Sequence, residues 1–343
     1  MILYTTLKKF KFLLLFLFIL SFLLISCNSK YENFLEYSVE NDTITLESNS
    51  QIIYFDIHPV RTNNILYVTG RNNYIIEGYD ILNRKLLHRI TIQDTIYNGL
   101  PLENIGGIYV HNSDSIFIHF SRGFSIINSE GSAIYTQSFN HYDEKNEVWP
   151  EKLRINTGDV MPAFYDAVNN KYFMRQYSGR YFFANPKYFD VSIEAFWDFD
   201  NDSLVDVPVF YPSKIKENFY GDAIAVFREY TDSLNIYSFM AEKDITVYNR
   251  YTGEINTISL QNNIPIRKME TIDTVNKFDM KVRIDHLITN DWFGKVLYDK
   301  YRNLYYRFIS AKKPLEEDGK FTSLSDKVIY LAVYDEHFNL LDE

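Results

Sequence analysis

The chain has one cysteine, Cys27, in 343 residues. A disulfide framework is therefore impossible, and packing and hydrogen bonding must hold the fold. Glycine (13) and proline (9) are scarce, and no Gly-rich phosphate loop is present. Nor is there a G-x-S-x-G nucleophile elbow or an H-E-x-x-H metal helix. An excess of positive charge is also missing. The formal net charge is −10, and a surface this acidic repels phosphate backbones, which speaks against a nucleic-acid partner. Outside the first thirty residues, no helix of three or more turns shows 3.6-residue periodicity.

What the chain has in quantity is aromatic surface. Tyr (28) and Phe (27) help bring aromatics to 17% and hydrophobic residues to 46%. Tyr, Phe, Ile and Val suit half-buried pleated surfaces, so the composition points to β structure, and disorder is excluded for the body of the chain.

The N-terminus reads as a targeting segment. Lys8, Lys9 and Lys11 form a positive n-region, and residues 12–25 are apolar apart from Ser21. The run has the length of an h-region and is short for a bilayer span. Leu24-Ile25-Ser26-Cys27 follows, with an aliphatic residue three before the cysteine and a small one directly before it. This pattern resembles the lipobox of bacterial lipoproteins, with Cys27 as the lipidated first mature residue. An uncleaved anchor helix with an incidental cysteine is the plainer alternative. Several acyl chains on Cys27 give the stable anchoring that one chain does not. The expected organisation is a signal peptide at 1–26, a tether at 27–36 and a globular domain at 37–343. Removing 1–26 takes away three lysines and no acid, which moves the net charge to −13. Membrane association then comes from the lipid and not from a basic patch.

The domain is repetitive. The second half of each repeat is an apolar strand ending in Asp or Asn, a polar turn and another strand, as in DITVYNRYTGEINTISL at 244–260. The residues that open these turns are Asp80, Asn128, Asp200, Asn249 and Asp335, with steps of 48, 72, 49 and 86. A second kind of hairpin turns at 112–115 and 231–233. A base period near 48, lengthened by insertions at 179–189 and about 311–324, fits four-stranded propeller blades. Five units are legible, at about 50–92, 103–140, 155–210, 220–262 and 288–343. The length predicts about six blades, with a strand pair at 34–46 helping to close the array and the last blade incomplete. The fold class is therefore all-β, a six-bladed propeller behind a lipoprotein signal peptide. Asp166 with Asn170, and Asp299 with Asn303, bracket turns that side chains can close, with tyrosines on the following strand packing between sheets.

These features resemble the Bacteroidota lipoproteins described as TolB-like six-bladed propellers or domains of unknown function. The resemblance rests on the 24–27 box, DSIF and IINSEG in the second unit, LYDKYRNLYYRF at 297–308 and VYDEHFNLLDE at 333–343. It implies an envelope protein, placed at the outer membrane, with no assigned substrate.

Several constellations could carry chemistry. Asp198, Asp200, Asp202 and Asp206 have a calcium-loop spacing, but Ser203 replaces the glycine of such loops, and the same stretch reads as an outer hairpin turn. His111 and His119 lie on adjacent strands without an evident third ligand. His141, Tyr142, Asp143 and Glu144, and Glu316, Glu317 and Asp318, are acid-bearing loops that a glycosidase could use in pairs or that are merely solvated. Residues 177–189 (YSGRYFFANPKYF) and 301–308 (YRNLYYRF) read either as ligand-stacking platforms or as packing between blades. The functional expectation is a non-enzymatic envelope module that binds a protein or glycan partner, with no cofactor and no metal. The alternatives are a lipid-anchored polysaccharide hydrolase or lyase with carboxylates at the propeller mouth, or a truncated, inactive copy.

Overall fold

The computed structural model describes residues 52–60, 63–70, 75–92, 96–97, 100–101, 105–120, 123–139, 151–155 and 161–343. The signal segment, Cys27, the tether, the strand pair expected at 34–46 and the 141–144 acid loop lie outside the described residues.

Five antiparallel sheets follow one another along the chain. The first holds β1 (Ile52–Val60), β2 (Asn63–Gly70), β3 (Ile75–Asp80) and β4 (Lys85–Thr91). A small ribbon, β5 (Ile96–Tyr97) and β6 (Leu100–Pro101), precedes the second sheet of β7 (Ile105–Asn112), β8 (Ser115–Phe120), β9 (Gly123–Ile127) and β10 (Ala133–Ser138). In the third sheet the innermost strand is split into β11 (Lys152–Ile155) and β12 (Phe164–Asp166), which both pair with β13 (Lys171–Ser178). β14 (Glu194–Asp198) and β15 (Ser203–Val207) complete it. The fourth sheet is β16 (Val226–Tyr230), β17 (Leu234–Phe239), β18 (Asp244–Asn249) and β19 (Ile255–Ser259). The fifth begins with β20 (Trp292–Asp299) and β21 (Leu304–Ser310), is interrupted by the ribbon β22 (Glu316–Glu317) and β23 (Lys320–Phe321), and ends with β24 (Ile329–Tyr334) and β25 (Leu340–Asp342). Each sheet falls within about three residues of the expected unit boundaries, except that β16 and β20 start a few residues later.

Alternation along the middle strands explains how the sheets stack. Successive side chains point to opposite faces. In β8, Ile116 and Ile118 join the cluster of Ile76 and Ile90 in the first sheet, while Phe117 stacks on Tyr172 of the third at 4.5 Å. In β17, Tyr237 packs toward Phe173 and Phe196 of the third sheet, and Ile236 toward Ile309 and Tyr334 of the fifth. Middle strands are therefore apolar on both faces, as in β8 (SIFIHF), whereas the outer strand β19 (INTIS) is almost wholly exposed. Four buried clusters fill the four gaps between successive sheets. This is a β-propeller arrangement with five described blades.

The expected incomplete last blade is corrected. The fifth sheet has four strands in the order β20-β21-β24-β25. The insertion lies between its second and third strands, and the 332–343 hairpin supplies the fourth. Two α-helices among the described residues, each under three turns, lie in the connections. α1 (Ser213–Glu217) follows β15, and α2 (Met280–Thr289) precedes β20. Asp279 caps α2 by accepting the Lys281 and Val282 amides at 2.9 and 3.2 Å. Among the described residues, no helix is long and apolar enough to cross a membrane.

Sheet topology sorts the connections into two ends. The first-to-second and third-to-fourth strand turns of every sheet emerge at one end. The second-to-third connections and the links to the next sheet emerge at the other. The first end is built of Asx turns: Asp80, Asp166, Asp198 and Asp299 each accept two following backbone amides through Oδ1. Arg84, Asn170, Asp202 and Asn303 close those turns with φ of +47 to +55°. The Tyr165 and Tyr298 hydroxyls donate to Asn170 and Asn303 at 2.6 and 3.0 Å, so the shared Tyr-Asp-x-x-x-Asn motif is one hydrogen-bonded device used twice. The long excursions, residues 179–193, 208–225, 260–291 and 311–328, all lie at the second end.

Candidate functional site

At the long-connection end, residues 180–186 of the third sheet and Lys277 and Phe278 of the link between the fourth and fifth sheets face each other across a cleft of about 420 Å³. Their backbone is held from both sides. Ser178 Oγ accepts the Arg180 and Tyr181 amides, and Asn185 caps the single 3-10 turn Pro186–Asp190 by accepting the Lys187 amide at 3.0 Å. The Ile272 amide donates to the Phe219 carbonyl, and Asp273 closes the turn that leads to Phe278.

Beneath the cleft is a packed aromatic wall. Phe183 stacks on Phe219 at 5.9 Å, with the Arg283 guanidinium 5.7 Å over its ring and paired to Asp222 at 3.1 Å. Tyr188 and Phe189 pack on Tyr211. Burial pushes the phenols of Tyr177, Tyr188 and Tyr211 above the ordinary tyrosine value, so they stay neutral and serve as wall rather than as acids or bases. Above the wall, Phe182 is 53% and Phe278 68% exposed, with ring centroids 5.6 Å apart. Lys277 lies over the Phe278 ring at 5.1 Å and Lys187 over Tyr181 at 5.5 Å. Among the described residues, neither Arg180 nor Lys277 forms an ion pair. A preformed apolar slot with unneutralised cations at its edge suits an apolar group that carries negative charge.

The aromatic run at 177–189 thus divides. Tyr177, Tyr188 and Phe189 pack inward, and Phe182 faces solvent. The run at 301–308 divides similarly. Tyr305 is buried against Phe338 at 4.4 Å, while Tyr301, at the turn end, is exposed. Lys277 and Phe278 escape sequence reading because the 260–279 connection repeats nothing and lies about ninety residues from its partner loop.

The remaining candidates are dispersed. Asp198 closes its own turn and also accepts the Asn201 side chain at 3.0 Å. Asp200 accepts Asn170 Nδ2 at 2.6 Å, while Asp206 faces Ala195 three rungs away and is engaged by Gln176 and Lys152. Asp202 shapes the turn through its backbone, at φ +47°, and among the described residues these carboxylates form no group that could hold a metal. The β7–β8 register sets His119 against Gly107, four residues from His111, or roughly 13 Å along the strand. His111 packs edge-on against Tyr165, and His119 is buried beside Phe139 and Tyr172. Glu316, Glu317 and Asp318 form the exposed β22–β23 ribbon, with Glu317 paired to Lys313 at 2.9 Å. Glu229 on β16 is raised above the usual carboxylate range by burial and is tied to Lys295 of β20 at 3.0 Å.

Sheets and connections define a propeller whose distinctive surface is built on its long-connection end. The chain belongs to the family DUF4221, described as a domain of unknown function, which matches residues 26–343. A crystal structure of a DUF4221 member from Bacteroides vulgatus superposes with a TM-score of 0.61 at 20% identity, over 88% of this chain and 82% of that one. The Pan2 WD40 domain of Neurospora crassa (TM-score 0.42, 6% identity, 85% and 65% covered) is a more distant neighbour. So is the dihydro-heme d1 dehydrogenase NirN (0.37, 10%, 82% and 44%). No curated protein matches the chain.

Proposed function

We propose that this chain is a lipid-anchored component of the cell envelope, attached at Cys27 to the outer membrane. Its TolB-like, six-bladed propeller holds a protein or glycan partner at the long-connection end and performs no chemistry itself. The observation that carries the reading is the Phe182–Phe278 cleft: two exposed rings from different connections meet on a packed aromatic wall. Large exposed apolar groups with a charged rim mark interaction sites on proteins of this size. The lipobox at 24–27 supports the address.

Two measurements on cells test the reading. Labelling with a fatty-acid analogue is expected to mark the wild-type protein and to spare Cys27→Ala. Crosslinking in intact envelopes is expected to recover a reproducible partner that Phe278→Ala no longer holds. Unlabelled wild-type protein, or a crosslinking pattern unchanged by Phe278→Ala, would count against it.

A further inference from the structure

The chemistry around the cleft selects among partners. The apolar surface does not stop at the two rings: Val275 is 85%, Met280 65% and Ile284 38% exposed. Met280 and Ile284 are one turn apart on α2, so they share a helix face. This strip continues from Phe278. Aliphatic and phenyl groups offer a sugar's many hydroxyls no hydrogen bonds. The Asn185 side-chain oxygen is already taken by the Lys187 amide, which leaves the Tyr181 hydroxyl as a neutral polar group of the cleft lining. A glycan would leave polar groups unpaired on such a surface, at a cost for each.

The charge is equally selective. On a chain with net charge −10, the cleft edge carries Arg180, Lys187 and Lys277. The cations nearby on α2 are already neutralised, Lys281 by Asp285 at 2.5 Å and Arg283 by Asp222. Arg180 and Lys277, which line the cleft and form no ion pair among the described residues, are placed to meet a partner. Interfaces place complementary potentials opposite one another and concentrate binding in a few aromatic and Arg anchors.

We infer that the cleft takes an acidic protein segment, with one large apolar side chain laid against the exposed faces of the Phe182–Phe278 pair and flanking carboxylates on Arg180 and Lys277. This deepens the binding-module reading and rests on it. The slot volume of about 420 Å³ accommodates a single aromatic side chain.

The test is fluorescence anisotropy of a labelled peptide of alternating Asp and Glu with one central Trp, titrated with the purified lipidated full chain in dilute detergent. The expected result is saturable binding that weakens with salt. Phe182→Ala and Phe278→Ala, and Ala in place of the peptide's Trp, should each lower affinity about tenfold or more. Arg180→Glu should lower it by a similar factor. The substituted side chains are exposed, so the melting temperature is expected to stay unchanged. The inference is overturned by no binding, by equal binding to wild type and both Phe variants, or by a competitor that displaces the peptide better than unlabelled peptide does. Polygalacturonate as that competitor would assign the cleft to a glycan. Phosphatidylglycerol vesicles, with phosphatidylcholine vesicles inert, would assign it to a membrane surface. The crosslinking experiment on cells is independent of the peptide. A Phe278-dependent partner without peptide binding sinks only the partner class, whereas failure of both sinks the binding module too.

Discussion

Glu194 and Arg228 form an ion pair with both side chains fully buried, bridging the third and fourth sheets. Glu194 is fully engaged, because Asn235 Nδ2 donates to its second oxygen at 2.9 Å and the Tyr237 hydroxyl does the same. Arg228 also donates to the Pro162 carbonyl and lies 4.6 Å over the Phe164 ring. Arg250 covers the same ring from 5.4 Å and is tied to Asp166 at 2.9 Å. Removing one partner of such a pair strands a buried charge, at about 3–5 kcal/mol. Arg228→Met is expected to cost that much in urea unfolding. The double variant Arg228→Met/Glu194→Gln should cost clearly less than the sum of the single changes. Strict additivity would show that the pair is not energetically coupled.

The Asx turns predict an acid response with a definite sign. The Asp80 carboxyl is held below its ordinary value by the Asn83 side chain and backbone. The Asp299 carboxyl is held down by the Arg302 side chain, and that of Asp335 by the Asn339 side chain. A depressed folded value means that the stabilisation is complete above the unfolded value, about 4, and is lost as pH falls through the folded one. The unfolding midpoint of wild type should therefore drop between about pH 5 and 3. The combined Asp80→Asn/Asp299→Asn/Asp335→Asn variant should drop less. Parallel curves would remove these turns as a source of the acid response.

Lys327 gives the opposite window. Its ammonium is buried, which brings its value down to about 8 although Asp291 pulls upward, and it donates to the Leu287 and Asn290 carbonyls at the end of α2. A lysine lowered by folding costs stability in full while both states are protonated. That cost is relieved as pH rises from about 8 toward the unfolded value near 10.4. Lys327→Met should flatten the rise in urea midpoint between about pH 8 and 10. An unchanged slope would show that the amine titrates normally in the fold.

Two glycines at positive φ separate backbone strain from contact. Gly131 (φ +80°) sits where a Cβ would collide with the Thr91 carbonyl oxygen of β4, so the second sheet approaches the first there too closely for any side chain. Gly253 (φ +73°) closes the β18–β19 turn with nothing within 4 Å of a Cβ. Gly253→Ala should cost about 1–2 kcal/mol, the strain of a left-handed alanine alone. Gly131→Ala should cost more, about 2–4 kcal/mol, because the collision adds to the strain. Equal losses in thermal unfolding would show that the two sheets separate without cost at that point.

The repeat was legible because one physical requirement, closing a tight turn between antiparallel strands, recurs with the same solution. Asp80, Asn128, Asn249 and Asp335 all accept following backbone amides in the way their position predicts, and Tyr172 and Tyr305, after Asn170 and Asn303, are buried. In the third sheet the amides are held by Asp198, two residues before the marked Asp200. Composition does not say which aromatics stay outside. Phe182 and Phe183 are neighbours of the same type, yet Phe183 packs on Phe219 and Phe182 does not. The cleft needs a second wall from a different connection, and nothing in the pattern of either segment names its partner. α2 carries little periodic signal for a related reason: over fewer than three turns it buries His286 and Ile288 and packs Leu287 on the core, while its apolar Met280 and Ile284 are exposed.

The separation of Asx turns from long excursions has a consequence for how such a molecule can diversify. Turns whose amides are claimed by their own carboxylates leave few viable spellings, and errors there unsettle strand register. The long excursions at the opposite end set no register, so they can be exchanged whole while the stack beneath stays intact. Grafting residues 179–193 and 260–291 from one relative onto another is therefore expected to transfer ligand preference without altering the scaffold's melting.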